Sequence, residues 1–309
     1  MAEIIGIGSA VFDTLMTADG FPQEDTKIEG TQTRVQGGGP CATALVAAGK
    51  LGVSSAYWGT LGDDLYGRSI QENLQKYGVD TRGVRTVPGC ESFHAFILLN
   101  TQTASRTCVW SKGTVPPPTP EDVDVEQLAH ARFLHLDGHH LQAAAYAAEK
   151  ARGLGVQVSL DAGGAYPGIE RLLELTDILI PSEECALKLT GCTDTWQAAQ
   201  ALAKAYRPET LIVTQGSRGG FRWTAQGPVR YPAFPVKAVD TNGAGDTFHG
   251  AYLAGRAKGL GPDEAASFAS AVSALKCTRL GAQEGIPTFT EAMAFWGGRT
   301  SAPITEKEC

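Results

Sequence analysis

Apolar residues follow two alternating patterns along the chain. Short runs at Ile4 to Ile7, Ser54 to Trp58, Phe133 to Leu136, Gln157 to Leu160, Ile178 to Ile180 and Leu211 to Thr214 predict buried strands. Between them Pro40 to Leu51, Gln142 to Gly153, Ile169 to Leu175 and Trp196 to Tyr206 repeat apolar positions at helical spacing. Proline is favoured in a first helical turn, and Gly52 marks the end of the helix that Pro40 opens. Thr247 to Lys258 and Asp263 to Cys277 predict two further, adjacent helices. Such alternation predicts an α/β fold with a mostly parallel sheet and helices on both faces. Ligands of such sheets bind beyond the carboxyl ends of the strands, where Asp13, at the end of the first strand, Gly216 and Asp246 are expected.

Two stretches break the pattern. Thr26 to Gln36 alternates like a strand, and Phe93 to Leu99 with Arg106 to Trp110 predicts a hairpin around the polar tip Asn100 to Ser105. Together they predict a small separate sheet, with Pro116 to Pro120 as a stiff return into the main domain. The expected division is a main domain from 1–12, 37–91 and 115–298, a β lid from 13–36 and 92–114, and a frayed tail over 299–309. A lid over a cleft excludes water, which competes as acceptor in group transfer. Its edges and apolar faces predict a homodimer formed through the lid.

At 309 residues the chain is long enough for a full core. Its net charge of -7, with no cluster of lysine and arginine, argues against nucleic acid as a partner. No apolar run approaches the roughly 18 residues of a membrane helix, and the start lacks a basic region before an apolar stretch, so a cytoplasmic location is expected. The seven cysteines form no CxxC pair and are read as free thiols that fill the core.

The decade from Asp240 to His249, DTNGAGDTFH, carries the most chemistry. Gly243 and Gly245 let the backbone approach an anion, and a helix starting there aims unpaired N–H groups and partial positive charge at it. A carboxylate repels phosphate, so Asp246 is assigned to a proton beside it. The combination describes phosphoryl transfer; the alternative is a helix start with an acidic first turn.

Two separated motifs carry a family resemblance. GGGPCATALVAAGKLG, Gly37 to Gly52, followed by WGTLGDDLYG, and VDTNGAGDTFHGAYLAG, Val239 to Gly255, resemble the two signatures of the ribokinase, or PfkB-type, carbohydrate kinases. TQGSRGG and KCTRLGAQEGIPT are also similar to family segments. The resemblance implies a ribokinase-like three-layer α/β/α fold with a small β-sheet lid. It implies an ATP-dependent kinase that transfers the γ-phosphate to a primary hydroxyl of a small sugar or sugar derivative. In that reading Asp246 is the catalytic base, and Gly243, Ala244 and Gly245 form the anion hole. Asp13 accepts hydrogen bonds from sugar hydroxyls beside Gly38 and Gly39. Thr214, Gly216 and Gly219 follow the ribose and phosphates, and Ser270 and Ala271 lie near adenine. Magnesium travels with the phosphates. Potassium binds through the Asp240 carboxylate and carbonyls near Asn242 and Gly281.

Departures from the family pattern bear on magnesium and substrate. Ser182-Glu183-Glu184-Cys185 stands where an Asn-x-x-Glu is frequent, which leaves Ser182 to meet phosphate or magnesium and Glu184 to supply the carboxylate. Thr43 stands where many relatives place an asparagine against substrate. GGGPCATALVAAGKLG and SALKCTRLG look closest to the sulfofructose kinase and fructokinase branch, and Lys27 is the candidate for an anionic substrate group. Gly138 or His139, and Val109 or Trp110, replace that branch's sulfonate ligands, so a sulfosugar is not supported. Two alternatives remain, a nucleoside kinase with Phe93, Phe96 and Trp110 as an aromatic lid, and a binding regulator without catalysis. The histidines of the His135 to His140 loop are read first as ordinary loop residues, with a substrate-facing histidine and a structural metal site as the alternatives, and His249, one turn from Asp246, is spaced to touch it as a supporting rather than a catalytic residue.

Overall fold

The structure is a computed structural model and describes residues 1–103 and 105–300. Its strands are β1 (Ile4–Ile7), β2 (Val11–Ala18), β3 (Gln32–Gly38), β4 (Ser55–Gly62), β5 (Val84–Val87), β6 (His94–Asn100) and β7 (Arg106–Ser111), then β8 (Phe133–Leu136), β9 (Gln157–Ala162), β10 (Ile178–Pro181), β11 (Thr210–Thr214), β12 (Gly220–Thr224) and β13 (Gly227–Tyr231). The helices are α1 (Pro40–Lys50), α2 (Leu65–Lys76), α3 (Val125–Leu128), α4 (Leu141–Leu154), α5 (Glu170–Leu173), α6 (Glu183–Thr190), α7 (Thr195–Tyr206), α8 (Ala244–Ala257), α9 (Pro262–Cys277) and α10 (Phe289–Thr300).

The central sheet runs β13-β12-β11-β10-β9-β8-β1-β4-β5. It is parallel from β11 to β5, with β12 and β13 added as an antiparallel hairpin. All four residues of β1 are buried, as expected of a parallel strand covered on both faces, which reads as an unbroken apolar run. One core joins the sheet to α1, α8 and α9 through Leu45, Tyr252 and Phe268, and the other joins it to α4 and α7 through Ala147, Leu160 and Ala198. The helices α1 and α8 pack closely, since a Cβ on Gly250 would lie 2.0 Å from the Ala44 carbonyl oxygen. Only glycine fits at that crossing, which fixes where the amino-terminal end of α8 points.

The second sheet, β3-β2-β6-β7, is separate from the first and is the one expected to act as a lid. Its register places Val35, Thr14, Phe96 and Val109 in one row across all four strands. Val35, Phe96 and Val109 are 65%, 54% and 69% exposed, so this apolar row faces outward. The intervening residues Asp13, Leu15, Ala95 and Ile97 are buried on the other face.

Several expectations are corrected here. Asp13 lies inside β2 of the lid, not at the end of β1, because Val11 to Ala18 forms one continuous strand paired on both sides. Strand structure begins at Gln32 rather than Thr26, and the segment before it is exposed. The periodicity missed α2, α3, α6, α10, β5 and the β12–β13 hairpin. Arg299 and Thr300 close α10, and the rest of the expected tail lies outside the described residues.

Candidate active site

Gly243 caps α8 at φ 75°, a left-handed conformation that a side chain disfavours, and a Cβ there would also press on Ala282 at 3.0 Å. The Ala244 N–H bonds the Thr241 carbonyl at 3.2 Å, and the Thr247 N–H bonds that of Gly243 at 2.9 Å. Among the described residues no acceptor meets the N–H groups of Gly245 and Asp246. A Cβ on Gly245 would find no atom within 4 Å. The helix end therefore turns free donors and positive dipole toward open space, as an anion site requires.

Asp246 follows in the first turn of α8, half-buried. Burial pushes its carboxyl up to about 7; Asp161 adds to the rise and His249 opposes it. Asp13 is 6% exposed, and burial with the charge of Asp246 pushes it up to about 7 as well. The carboxylates of Asp13 and Asp246 are therefore close enough for the charge of one to act on the other. Among the described residues neither accepts a hydrogen bond, so their lone pairs remain available. Glycine is required beside Asp13, because a Cβ on Gly38 would lie 2.2 Å from its Oδ2. Gly39 has φ 90°, and its Cβ would meet the Ser9 carbonyl oxygen at 2.5 Å.

Asp137 has a structural task. Its Oδ2 accepts from the Ser9 N–H at 2.7 Å and the Cys41 N–H at 3.1 Å, and its Oδ1 accepts from the His139 N–H at 3.0 Å. Burial raises its carboxyl, but these hydrogen bonds, led by the His139 ring, hold it down to about 2. It joins β1, α1 and the His139 loop around the site.

Two openings flank this centre. A cleft of about 470 Å³ is lined by Thr214, Gly216, Gly219, Gly245, Phe248 and Ser270. A cavity of about 390 Å³ on the lid side is lined by Ser9, Thr60, Phe93, Lys112, His139 and His140, among others.

A pfkB family carbohydrate kinase profile matches residues 1–289. The chain belongs to the pfkB family of carbohydrate kinases. This carbohydrate kinase is 30% identical to the ribokinase of Bacillus subtilis over 295 residues, covering 94% of this chain and 98% of that one. The structure of Arabidopsis thaliana ribokinase complexed with ribose and ATP matches it with a TM-score of 0.83 at 27% identity, covering 96% and 99% of the two chains. An E. coli protein described as a ribokinase II, in complex with ATP and Mg2+, matches with a TM-score of 0.84 at 25% identity, covering 97% and 100%. The kinase is accordingly a phosphotransferase acting on an alcohol group. Among the described residues no helix is long and apolar enough to cross a membrane.

The kinase fold does not bring every expected residue to the site. Ala271 is fully buried, and Ser273 and Ala274 line the cleft beside Ser270 instead. Thr43 is fully buried, and its hydroxyl accepts from Gln283 Nε2 at 3.1 Å, so it braces the segment after α9 rather than facing a substrate. Lys27 is exposed on the loop before β3, and Lys112 is the lysine at the lid-side cavity. Ser182 is the N-cap of α6, accepting the Cys185 N–H at 3.1 Å. Glu183 is tied to Thr195, Gln215 and Arg218, and Glu184 is exposed. His249 pairs through Nε2 with Asp161 Oδ1 at 3.1 Å, not with Asp246. Among the described residues no group of three metal-ligating side chains assembles, at the His135 to His140 loop or elsewhere. Phe93 faces the lid-side cavity, whereas Phe96 and Trp110 are exposed.

At the expected potassium site the oxygens are engaged. The Asp240 carboxylate accepts the Asn242 N–H at 2.8 Å and the Gly281 N–H at 2.9 Å. The carbonyls of Asp240 and Asn242 both accept from the Lys276 ammonium, the first at 2.9 Å. Lysine 276, Lys112 and Gln283 were not singled out from the sequence. Lys276 alone carried a signal, as a charge at an inward position of an otherwise small and apolar helix.

Proposed function

We propose that the protein transfers the γ-phosphate of ATP to a primary hydroxyl of a small sugar or sugar derivative. The observation that carries this is the open amino-terminal end of α8, with the unbonded carboxylate of Asp246 in its first turn. Asp13 with Gly38 and Gly39 orients the acceptor hydroxyls. As the acceptor oxygen bonds the γ-phosphorus, its proton passes to Asp246, and the bond from that phosphorus to the bridging oxygen breaks to leave ADP. The N–H groups of Gly245 and Asp246, with Gly243 shaping the turn, meet the charge that develops on the phosphoryl oxygens. A carboxyl near 7 suits a base that works at neutral pH.

The cleft lined by Thr214, Gly216, Gly219 and Ser270 suits the nucleotide, with Phe248, Ala274 and Phe234 as apolar walls for a base. Magnesium supplies charge neutralisation on the phosphates when bound. It needs few protein ligands, which fits a site where Ser182 caps a helix and Glu183 is already paired. Lys112 and His139 give the acceptor cavity a positive edge; burial opposes charge on His139, but Asp137 outweighs it and raises the ring. The deciding experiment is an ADP-release screen over pentoses, hexoses, sugar acids, sugar phosphates and nucleosides. Sugar-dependent ADP formation supports the reading; release with nucleosides alone replaces the acceptor, and no release with any compound overturns it.

The outward row of Val35, Phe96 and Val109 is the surface for a second copy of the lid, because an exposed sheet face of this kind needs cover. Light scattering at micromolar concentration should give the mass of a dimer, and Val35→Lys with Val109→Lys should give a monomer.

A further inference from the structure

Lys276 lies in the last turn of α9 and is fully buried. Lysine is almost never fully buried without compensation, because withdrawing an ammonium from water costs several kcal/mol. The compensation here is specific. The ammonium donates to the carbonyls of Asp240 and Asn242; burial still draws its pKa below the ordinary lysine value, and the charges of Asp240 and Asp246 oppose that. Those carbonyls belong to the loop that leads into Gly243 and the open end of α8. The same helix grips that loop twice more, through Ser273 Oγ to the Ala244 carbonyl at 2.7 Å and the Cys277 carbonyl to the Val239 N–H at 2.7 Å.

A potassium ion at this loop would need the same lone pairs. Both carbonyls already accept from Lys276, and both carboxylate oxygens of Asp240 accept backbone N–H groups, so these residues do not fit a resident ion. An ammonium group and potassium are close in size, and both are held by oxygen lone pairs. We propose that Lys276 is a tethered substitute for the monovalent cation, ordering the 240–242 loop and with it the phosphate-meeting end of α8, so that the protein needs no potassium. Lys276 is a positioning residue, acting through the loop. The inference rests on the phosphate-binding role proposed for α8, but its test does not require turnover.

The test compares potassium chloride with an equal concentration of tetramethylammonium chloride, whose cation is too large for such a site, and reads the melting temperature and ATP affinity of the full chain. The wild type should give the same values in both salts. Lys276→Ala should lose about tenfold or more in ATP affinity in tetramethylammonium, and potassium should restore most of it with a rise in melting temperature, since the freed carbonyls can hold the ion. Lys276→Met keeps the bulk without the charge and should stay weak in both salts. A wild type that melts higher or binds ATP more tightly in potassium overturns the proposal. So does a Lys276→Ala protein that binds ATP as the wild type does in tetramethylammonium. Should neither variant fold, the wild-type comparison decides alone. A wild type that binds no ATP in either salt sinks the phosphate role of α8 instead, while its melting still reports on potassium.

Discussion

The Nε2 atom of His249 lies 3.1 Å from Oδ1 of Asp161, and both members of this buried pair act electrostatically on Asp246. Burial does most to raise the Asp246 carboxyl, Asp161 adds to the rise and His249 opposes it, so the pair adjusts the pH at which the proposed base is ready. The wild-type kcat/KM should rise as pH passes through about 7, where Asp246 loses its proton. His249→Gln removes the opposing charge and should move that limb up by roughly half a unit to one unit, and Asp161→Asn should move it down. A uniform loss at every pH, with the limb in place, would assign the pair to packing alone.

Asp246→Asn keeps the shape of the site and removes the proton acceptor. Turnover should fall by about 10²- to 10⁴-fold, while ATP affinity by calorimetry stays within a few fold. Turnover near the wild-type rate would sink the assigned role.

Asp13 is held for use at a cost in stability. Its carboxyl rises from 3.8 to about 7 on folding, so the folded state favours the protonated form. The penalty is absent below the lower value and grows until pH passes the upper one, reaching on the order of 2 to 4 kcal/mol. Asp13→Asn should therefore raise the melting temperature by several degrees at about pH 8 and by less at about pH 5, while abolishing acceptor binding. Equal shifts at both values would contradict the buried-charge account.

Two signature glycines, Gly245 in the first turn of α8 and Gly39 capping α1, should part company on substitution. Gly245→Ala meets no protein atom and improves a helical position, so it should stabilise the free protein by about 0.5 to 1 kcal/mol while weakening ATP turnover, because the methyl group occupies the phosphate approach. Gly39→Ala, with φ 90° and a backbone oxygen in the way, should cost about 1 to 3 kcal/mol. Calorimetric melting of the three proteins checks both.

The parallel sheet and its helices were legible because strands buried on both faces must be written as apolar runs, and β1, β8 and β10 are. The tight turn into α8 was legible because Gly243 takes a left-handed backbone that a side chain disfavours. The role of Asp13 was assigned, but its strand was not, since Val11 to Ala18 follows β1 too closely for periodicity to separate them. Ser182 and Thr43 were assigned to ligands although the fold uses them as a cap and a brace, because a hydroxyl suits either task and only the neighbours decide. Lys276 was missed because its partners are main-chain carbonyls 34 and 36 residues away, and a carbonyl leaves no mark in a sequence.

The alternation along β2 has a consequence for how this protein tolerates change. Asp13 and Thr14 are neighbours, yet one is buried on the inner face of the sheet and the other belongs to the outward row. Inserting or deleting one residue within Val11–Ala18 would exchange the two faces, exposing the carboxylate and turning an outer residue to the acceptor. The exposed loop between β2 and β3 carries no such parity, so length variation among homologues should collect there and stop sharply at Ala18.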